Sequence, residues 1–243
     1  WESRFLSSSR LAPFLNPVRR YDYYLAQRPD YLLATCQNVA NRIKKHYHRQ
    51  ATIVYPGIDT NKFCPPVKKQ RGNSFLLVSR LVAYKKTELT IKAFNQLKLP
   101  LKIVGTGPEF NRLKEIAGPT VKLLGPIQDQ QLVEEYQNCL ALIVPQEEDF
   151  GLTSIEAQAC GKPVIAYGQG GALETVVANQ TGLFFGKQTI ASLSSAVKNF
   201  DPKQYLPQTC RQNAQKFSVA NFMLLFKKEI YKLLDEYQKQ FKP

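Results

Sequence analysis

Four groups of residues in this chain have the types and spacing to act on a phosphorylated or sugar-bearing ligand. Arg80 and Lys85 stand five residues apart just after an apolar run. Together they make a cationic clamp suited to a diphosphate, since a guanidinium fork takes two oxygens and an ammonium acts as a point charge. The same pair also fits an exposed basic turn. Gly105-Thr106-Gly107 follows a second apolar run. Without the third glycine of a dinucleotide fingerprint, it fits a strand-to-helix connector as well as a ligand loop.

The densest group is Glu148-Asp149-Phe150-Gly151-Leu152-Thr153-Ser154-Ile155-Glu156. Gly151 lets the backbone turn sharply into a helix whose second turn carries Glu156, while Glu148 stays in the loop before it. Both carboxylates can then face one crevice and accept hydrogen bonds from sugar hydroxyls. The amides of Gly151, Leu152 and Thr153 can receive a phosphate at the helix N-terminus. Acids that merely complement the helix dipole are the plainer alternative for Glu147, Glu148 and Asp149. Glu156 resists it, because it interrupts a helix otherwise made of apolar and small residues. Gly168-Gln169-Gly170-Gly171, with Glu174, forms a further loop that can approach a ligand closely or serve as an ordinary turn.

Each group follows a short apolar run, and amphipathic stretches lie between the runs. This alternation predicts an α/β domain with a parallel sheet covered by helices on both faces. In such sheets ligands bind beyond the carboxyl ends of the strands, where these residues lie. Strands are expected at Ser74–Ser79, Leu101–Val104, Val121–Leu124, Ala141–Val144 and Pro163–Ala166. Helices are expected at Thr87–Leu97, Pro108–Ala117, Asp129–Asn138 and Leu152–Cys160. Gly125-Pro126-Ile127 closes the third strand. Upstream, Tyr31–Thr35, Val39–His46 and Ala51–Tyr55 read as strand, helix and strand after a basic, aromatic start. Residues 56–72, with Pro56-Gly57 and Pro65-Pro66, have the composition of a linker. Phe222, Phe226, Ile230, Leu233 and Tyr237 recur at helical spacing, so the tail from Ser218 is a long amphipathic helix.

Length and composition allow one to two domains and exclude a disordered chain, because 44% of the 243 residues are hydrophobic. The net charge of +14 is uneven: residues 1–71 carry 13 Lys+Arg against 4 Asp+Glu. Arg19, Arg20, Arg28, Arg42, Lys44, Lys45 and Arg49 make this part the place for an anionic partner, and leave an anionic membrane surface open as one. No helix-turn-helix, zinc-finger or aromatic RNA-binding signature is present, so nucleic acid is not expected. The five cysteines form no metal-spaced cluster, which predicts reduced thiols and no metal. No run approaches the roughly 18–20 apolar residues of a membrane span. The opening Trp1 fits a fragment or a processed start.

Taken in order, the motifs resemble a known family. Val78-Ser79-Arg80-Leu81-Val82-Ala83-Tyr84-Lys85, Ile103-Val104-Gly105-Thr106-Gly107-Pro108 and the pair Glu148 and Glu156, with seven residues between them, are similar to family 4 of the retaining GT-B glycosyltransferases. So are Ala159-Cys160-Gly161-Lys162-Pro163-Val164-Ile165, Gly170-Gly171, Glu174 and Thr181-Gly182-Leu183. The likeness covers nearly all of residues 50–200, and within the family it is greatest to the O-antigen mannosyltransferase branch. It implies a GT-B type fold: a Rossmann-like donor domain at 73–200, and a remnant of a second, N-terminal acceptor domain at 1–55. Helices at 201–243 would pack back on that remnant.

The implied reaction moves a hexose, mannose from GDP-mannose, to a lipid-linked or polysaccharide acceptor at the cytoplasmic membrane face, with retention and with no cofactor. Arg80 and Lys85 would hold the donor diphosphate and stabilise the departing nucleotide, and Glu148 would contact the donor sugar, so these three are the implied catalytic residues. Glu156 would take the ribose hydroxyls, and Gly125-Pro126-Ile127 would lie against the base. Gly105, Gly107, Phe150, Gly151, Leu152 and Thr153 complete the implied donor site. The sequence departs from the pattern at Lys86, where the family prefers glycine, and at Thr35-Cys36-Gln37, where the branch has Ala-Asn-Ser. Two other readings stand beside the transferase: a GT-B sugar-nucleotide epimerase, and a non-catalytic nucleotide-sugar-binding module. The isolated fragment is expected to be inactive.

Overall fold

A computed structural model describes residues 12–67 and 72–240; the extreme start of the chain and the polar 68–71 stretch of the expected linker lie outside the described residues. The chain divides into two compact units, one formed from Trp1–Tyr55 with Leu225–Pro243 and the other from Pro56–Leu224.

In the described part of the first unit, helix α1 (Ala12–Ala26) precedes strand β1 (Leu33–Ala34), helix α2 (Gln37–Tyr47) and strand β2 (Thr52–Ile53). The two strands pair in parallel, Leu33 opposite Thr52, with α2 as the crossover, as the sequence predicts. At the N-terminus of α2, the Cys36 thiol accepts from the Val39 amide at 3.4 Å. Sulfur thus takes a capping position usually held by Ser, Thr, Asp or Asn. Arg49 spends its guanidinium on the carbonyls of Ala26, Pro29 and Asp30, so part of the basic surplus serves the fold.

The second unit is built on six strands, β3 (Ser74–Val78), β4 (Leu101–Val104), β5 (Val121–Gly125), β6 (Cys139–Val144), β7 (Val164–Tyr167) and β8 (Gly182–Phe185). They pair in the order β5-β4-β3-β6-β7-β8, all parallel. This is the doubly wound order, in which the winding reverses between β3 and β6. Helices α3 (Thr87–Leu97), α4 (Phe110–Ile116), α5 (Asp129–Asn138), α6 (Leu152–Ala159), α7 (Ala172–Thr175), α8 (Ile190–Lys198), α9 (Pro207–Gln215) and α10 (Val219–Gln240) complete the chain. Apart from α10, whose residues from Leu225 on belong to the first unit, they pack in two groups, α3 with α4 and α8, and α6 with α5, α7 and α9. The sheet core is apolar throughout: Leu76, Leu77, Ile103, Leu142, Ile143 and Ile165 are buried, and Phe75 packs on Phe94 and Phe200.

Five of the six strands follow the expected runs to within two residues. The sixth, β8, is not among the expected strands; it is an edge strand of four residues, Gly182-Leu183-Phe184-Phe185, whose apolar run is short and opens on glycine, and whose two central side chains are only half-buried. Helix α4 begins at Phe110, two residues later than expected. Residues 56–67, which have a linker's composition, are packed: Ile58 and Phe63 are buried, and Ile58 forms a parallel bridge to Ser218. Arg211 holds this segment by donating to the carbonyls of Thr60, Phe63 and Ala159 at 2.6–3.0 Å.

Cys36, Cys139, Cys160 and Cys210 are buried, and all five cysteines are free thiols. Burial pushes the Cys139, Cys160 and Cys210 thiols up to about 12. Among the described residues no helix is long and apolar enough to cross a membrane.

The turn after β4 meets the turn after β3 backbone to backbone. Gly105 has φ +135, and a Cβ there would lie 1.9 Å from the Ser79 carbonyl oxygen; at Gly107 it would lie 2.3 Å from that of Leu81. Gly105→Ala is therefore expected to cost about 1–3 kcal/mol of unfolding free energy. Urea denaturation measures it, and a parent-like midpoint would show that the neighbouring loop yields without strain.

Candidate functional site

The carboxyl ends of β3 and β6 are where the winding reverses, and the loops leaving them carry the charged residues singled out above. After β3 the chain runs through Arg80 into a 3-10 turn at Ala83–Lys85. After β6 it runs from Pro145 through Glu148 to Gly151. Lys85 and Glu148 meet across this point, Nζ to Oε1 at 2.6 Å, with side chains only 12% and 20% exposed. Gln146, 3% exposed, donates its Nε2 to the same Glu148 oxygen, while its own Oε1 is buried without a partner. Arg80 is exposed and donates to the Tyr84 hydroxyl at 3.0 Å. The Lys85 ammonium lies 5.2 Å from the centre of the Tyr84 ring, so one tyrosine braces both cations.

Lys86, the departure from the family pattern, has φ +56 and joins the 3-10 turn to α3. The left-handed conformation explains the family's glycine; here lysine adopts it, at a cost of roughly 1–2 kcal/mol.

The two glycine loops act on the charged loops. Leu81 donates its amide to the Thr106 carbonyl at 2.8 Å, and Glu109 donates back to Leu81 at 3.1 Å, so Gly105-Thr106-Gly107 clasps the Arg80 loop. Gly171 donates to the Glu148 carbonyl at 2.8 Å. A Cβ at Gly170 would lie 2.4 Å from that carbonyl oxygen, and one at Gly171 would lie 2.3 Å from that of Asp149. Gln188 fastens the start of the loop by donating to Pro145 at 2.9 Å.

Glu156 has a different setting from Glu148. It accepts from the Tyr136 hydroxyl at 2.7 Å, and Tyr136 is fully buried with its ring edge-on to Phe63. Burial raises the Glu156 carboxyl above its usual range, opposed by the Tyr136 hydrogen bond and the charge of Lys62. Helix α6, which carries Glu156, is entered through Gly151 as its N-cap, with φ +91, the sharp turn expected there. A buried amide network fixes the helix: Gln158 donates to Ser154 and Thr175, and Asn213 donates to Gln158 and Thr175.

Arg80, Lys85 and Glu148 thus come together at the switch point, with Gly151, Thr153 and the exposed Leu152 at the adjoining helix start. Phe150 is placed otherwise: it is 5% exposed and packs its ring on Phe217, an internal contact. Gly125, with φ +73, accepts from the Gly105 amide, leaving Pro126 exposed and Ile127 half-buried beyond β5. Tyr84, Gln146 and Tyr136 were not singled out from sequence. Tyr136 carries a readable signal, as the lone aromatic of α5, spaced three residues from Val133 and four from Leu132 in a helix otherwise polar. A hollow of about 500 Å³ lined by residues including Asn179, Phe184, Ser192 and Tyr205 lies at the β8 edge and includes none of these groups.

Comparison with known proteins gives the chain a family and a fold. The sequence model of the family Glycosyl transferases group 1 matches residues 59–217. An uncharacterized glycosyltransferase of Methanocaldococcus jannaschii is 24% identical over 207 residues, 82% of this chain and 58% of its own length. A GDP-mannose-dependent alpha-(1-6)-phosphatidylinositol monomannoside mannosyltransferase of Mycolicibacterium smegmatis is 29% identical over 179 residues, 61% of this chain and 47% of that one. The chain therefore spans about half the length of these curated relatives. Among solved structures, sucrose-phosphate synthase from Thermosynechococcus elongatus aligns with a TM-score of 0.81 over 96% of this chain and 65% of its own, at 23% identity. That likeness shows a shared Rossmann-like, GT-B fold.

The raised Glu156 carboxyl has a consequence for stability. Because its folded pKa lies above the unfolded value, its contribution is greatest below the unfolded pKa and declines as pH rises through the folded one. Glu156→Gln mimics the protonated form and still accepts from Tyr136. It should melt higher than the parent at pH 7, with the gap closing toward pH 4. Thermal denaturation at both pH values checks this, and a variant less stable at pH 7 would contradict it.

Proposed function

The chain belongs to the Glycosyl transferases group 1 family, and we propose that it forms the donor-binding half of a retaining, family 4 hexosyltransferase. The observation that carries the reading is the pairing at the switch point. A nucleotide sugar needs a cation at its diphosphate and an acceptor for its sugar hydroxyls a few ångströms away. Lys85 and Glu148 stand at bonding distance there with Arg80 beside them.

In this reading Arg80 and Lys85 take the diphosphate, aided by the amides at the start of α6. Their charges are placed where negative charge grows as the nucleotide departs, which lowers the barrier rather than merely tightening the ground state. Glu148 accepts from hydroxyls of the hexose. Glu156 keeps lone pairs beyond the one Tyr136 occupies and accepts from the ribose hydroxyls. Retention follows if the acceptor hydroxyl attacks the face that the diphosphate leaves. The acceptor oxygen–C1 bond forms, the C1–phosphate oxygen bond breaks, and the hydroxyl proton passes to the departing phosphate.

GDP-mannose is the proposed donor. The mannosyltransferase-branch motifs support it, and so does the mannosyltransferase relative. The proposed acceptor is a lipid-linked oligosaccharide or a polysaccharide, met at the cytoplasmic face of the membrane.

Calorimetric titration of the 243-residue chain with GDP, UDP and ADP tests the donor half of this reading. GDP is expected to bind, weakly and more tightly than the other two, with no sugar transfer by the chain alone. Arg80→Ala should weaken GDP about tenfold or more, as loss of a hydrogen bond to a charged group does, and leave guanosine unchanged. Equal loss for both ligands would instead make Arg80 a residue of the fold.

A further inference from the structure

The donor reading assigns Lys85 to the diphosphate and Glu148 to the sugar, yet the structure bonds them to each other. We propose that Glu148 competes with the diphosphate for Lys85, and that this competition makes the site favour an intact nucleotide sugar over a free nucleoside diphosphate. The inference rests on the donor reading and adds to it a means of product release.

The geometry sets the terms of the competition. The two side chains are mostly buried, so a partner removed from either is not replaced freely by water. An ammonium has three donor hydrogens, but Nζ is drawn to within 2.6 Å of Glu148 Oε1, and a diphosphate brought to the same ammonium must share it with a carboxylate. When a hexose is attached, its hydroxyls donate to Glu148 and take over the place of Lys85, which becomes available to the phosphates. When the ligand is the free diphosphate, no donor arrives, and drawing Lys85 away leaves Glu148 with Gln146 alone. The penalty therefore falls on the product and not on the substrate.

Gln146 makes the exchange orderly. Its amide already donates to the same Glu148 oxygen, from a loop pinned at Pro145 by Gln188 and at Glu148 by Gly171. Glu148 can lose Lys85 without losing its place. The Oε1 of Gln146, buried and unpartnered, is an acceptor left over at this site.

The test is calorimetry on the chain with GDP and GDP-mannose, or with UDP and UDP-glucose if the uridine pair binds, using Glu148→Gln, Lys85→Met and the double variant. Glu148→Gln should bind the nucleoside diphosphate about tenfold more tightly than the parent, and show no such gain for the nucleotide sugar. In the Lys85→Met background the gain should vanish. Glu148→Ala repeats the measurement, with circular dichroism confirming that each variant is folded. The proposal is overturned if Glu148→Gln binds the diphosphate no more tightly than the parent. It is also overturned if the gain survives in Lys85→Met, which would mean simple relief of charge repulsion, or if the nucleotide sugar gains equally. Failure of the parent to bind any of the four ligands would sink the donor reading and this inference together.

Discussion

The site depends on backbone touching backbone. Gly105 and Gly107 press against the carbonyls of Ser79 and Leu81, and Gly170 and Gly171 press against those of Glu148 and Asp149. No side chain fits in either seam, so each charged loop is located by contacts that rotamer changes cannot relax. A parallel sheet supplies the rest, since it delivers β3 and β6 side by side with their carboxyl ends level. Two loops fixed in this way bring a lysine and a glutamate from residues 63 apart in the chain to 2.6 Å.

A second layer of constraint lies under the other carboxylate. Arg211 ties residues 60 and 63 to the end of α6; this places Phe63 against Tyr136, and Tyr136 against Glu156. The effect is a buried carboxylate whose hydrogen bond comes from a neutral phenol, with the Lys62 cation acting on it only through its charge. Such a group is poorly solvated and uses only one of its acceptor positions on Tyr136, so it remains receptive to hydroxyl donors. Glu148 is instead already satisfied by an ammonium and an amide. The same residue type is thus made available at one point and occupied at the other.

Much of this was legible in the sequence. Alternating apolar runs and amphipathic stretches specify the sheet and most helices, because the interior strands are buried along most of their length and carry few polar residues, Ser74 and Lys102 among them. Arg80, Lys85, Glu148 and Glu156 stand out because charge at strand ends and in a small-residue helix has few plain explanations. Less legible were features that depend on distance in space. That Gly170 serves Glu148 cannot be read from a loop composition that suits a ligand equally well. Phe150 looks available beside Gly151 until Phe217, 67 residues later, covers it. Gln146 is polar in a polar loop, and only its burial shows that it matters. The packing of residues 56–67 was hidden by prolines, which mark a turn without saying whether it is covered.

Three thiols buried in the elements around the site give the molecule a built-in clock. Cys139 starts β6, Cys160 caps the C-terminus of α6 and Cys210 lies in α9; all three are buried, and burial holds each thiol in its neutral form while folded. Each becomes nucleophilic only when its own element opens to solvent. The order in which an alkylating reagent marks the three would therefore record the order in which the supports of the site come apart, with no probe added to the protein.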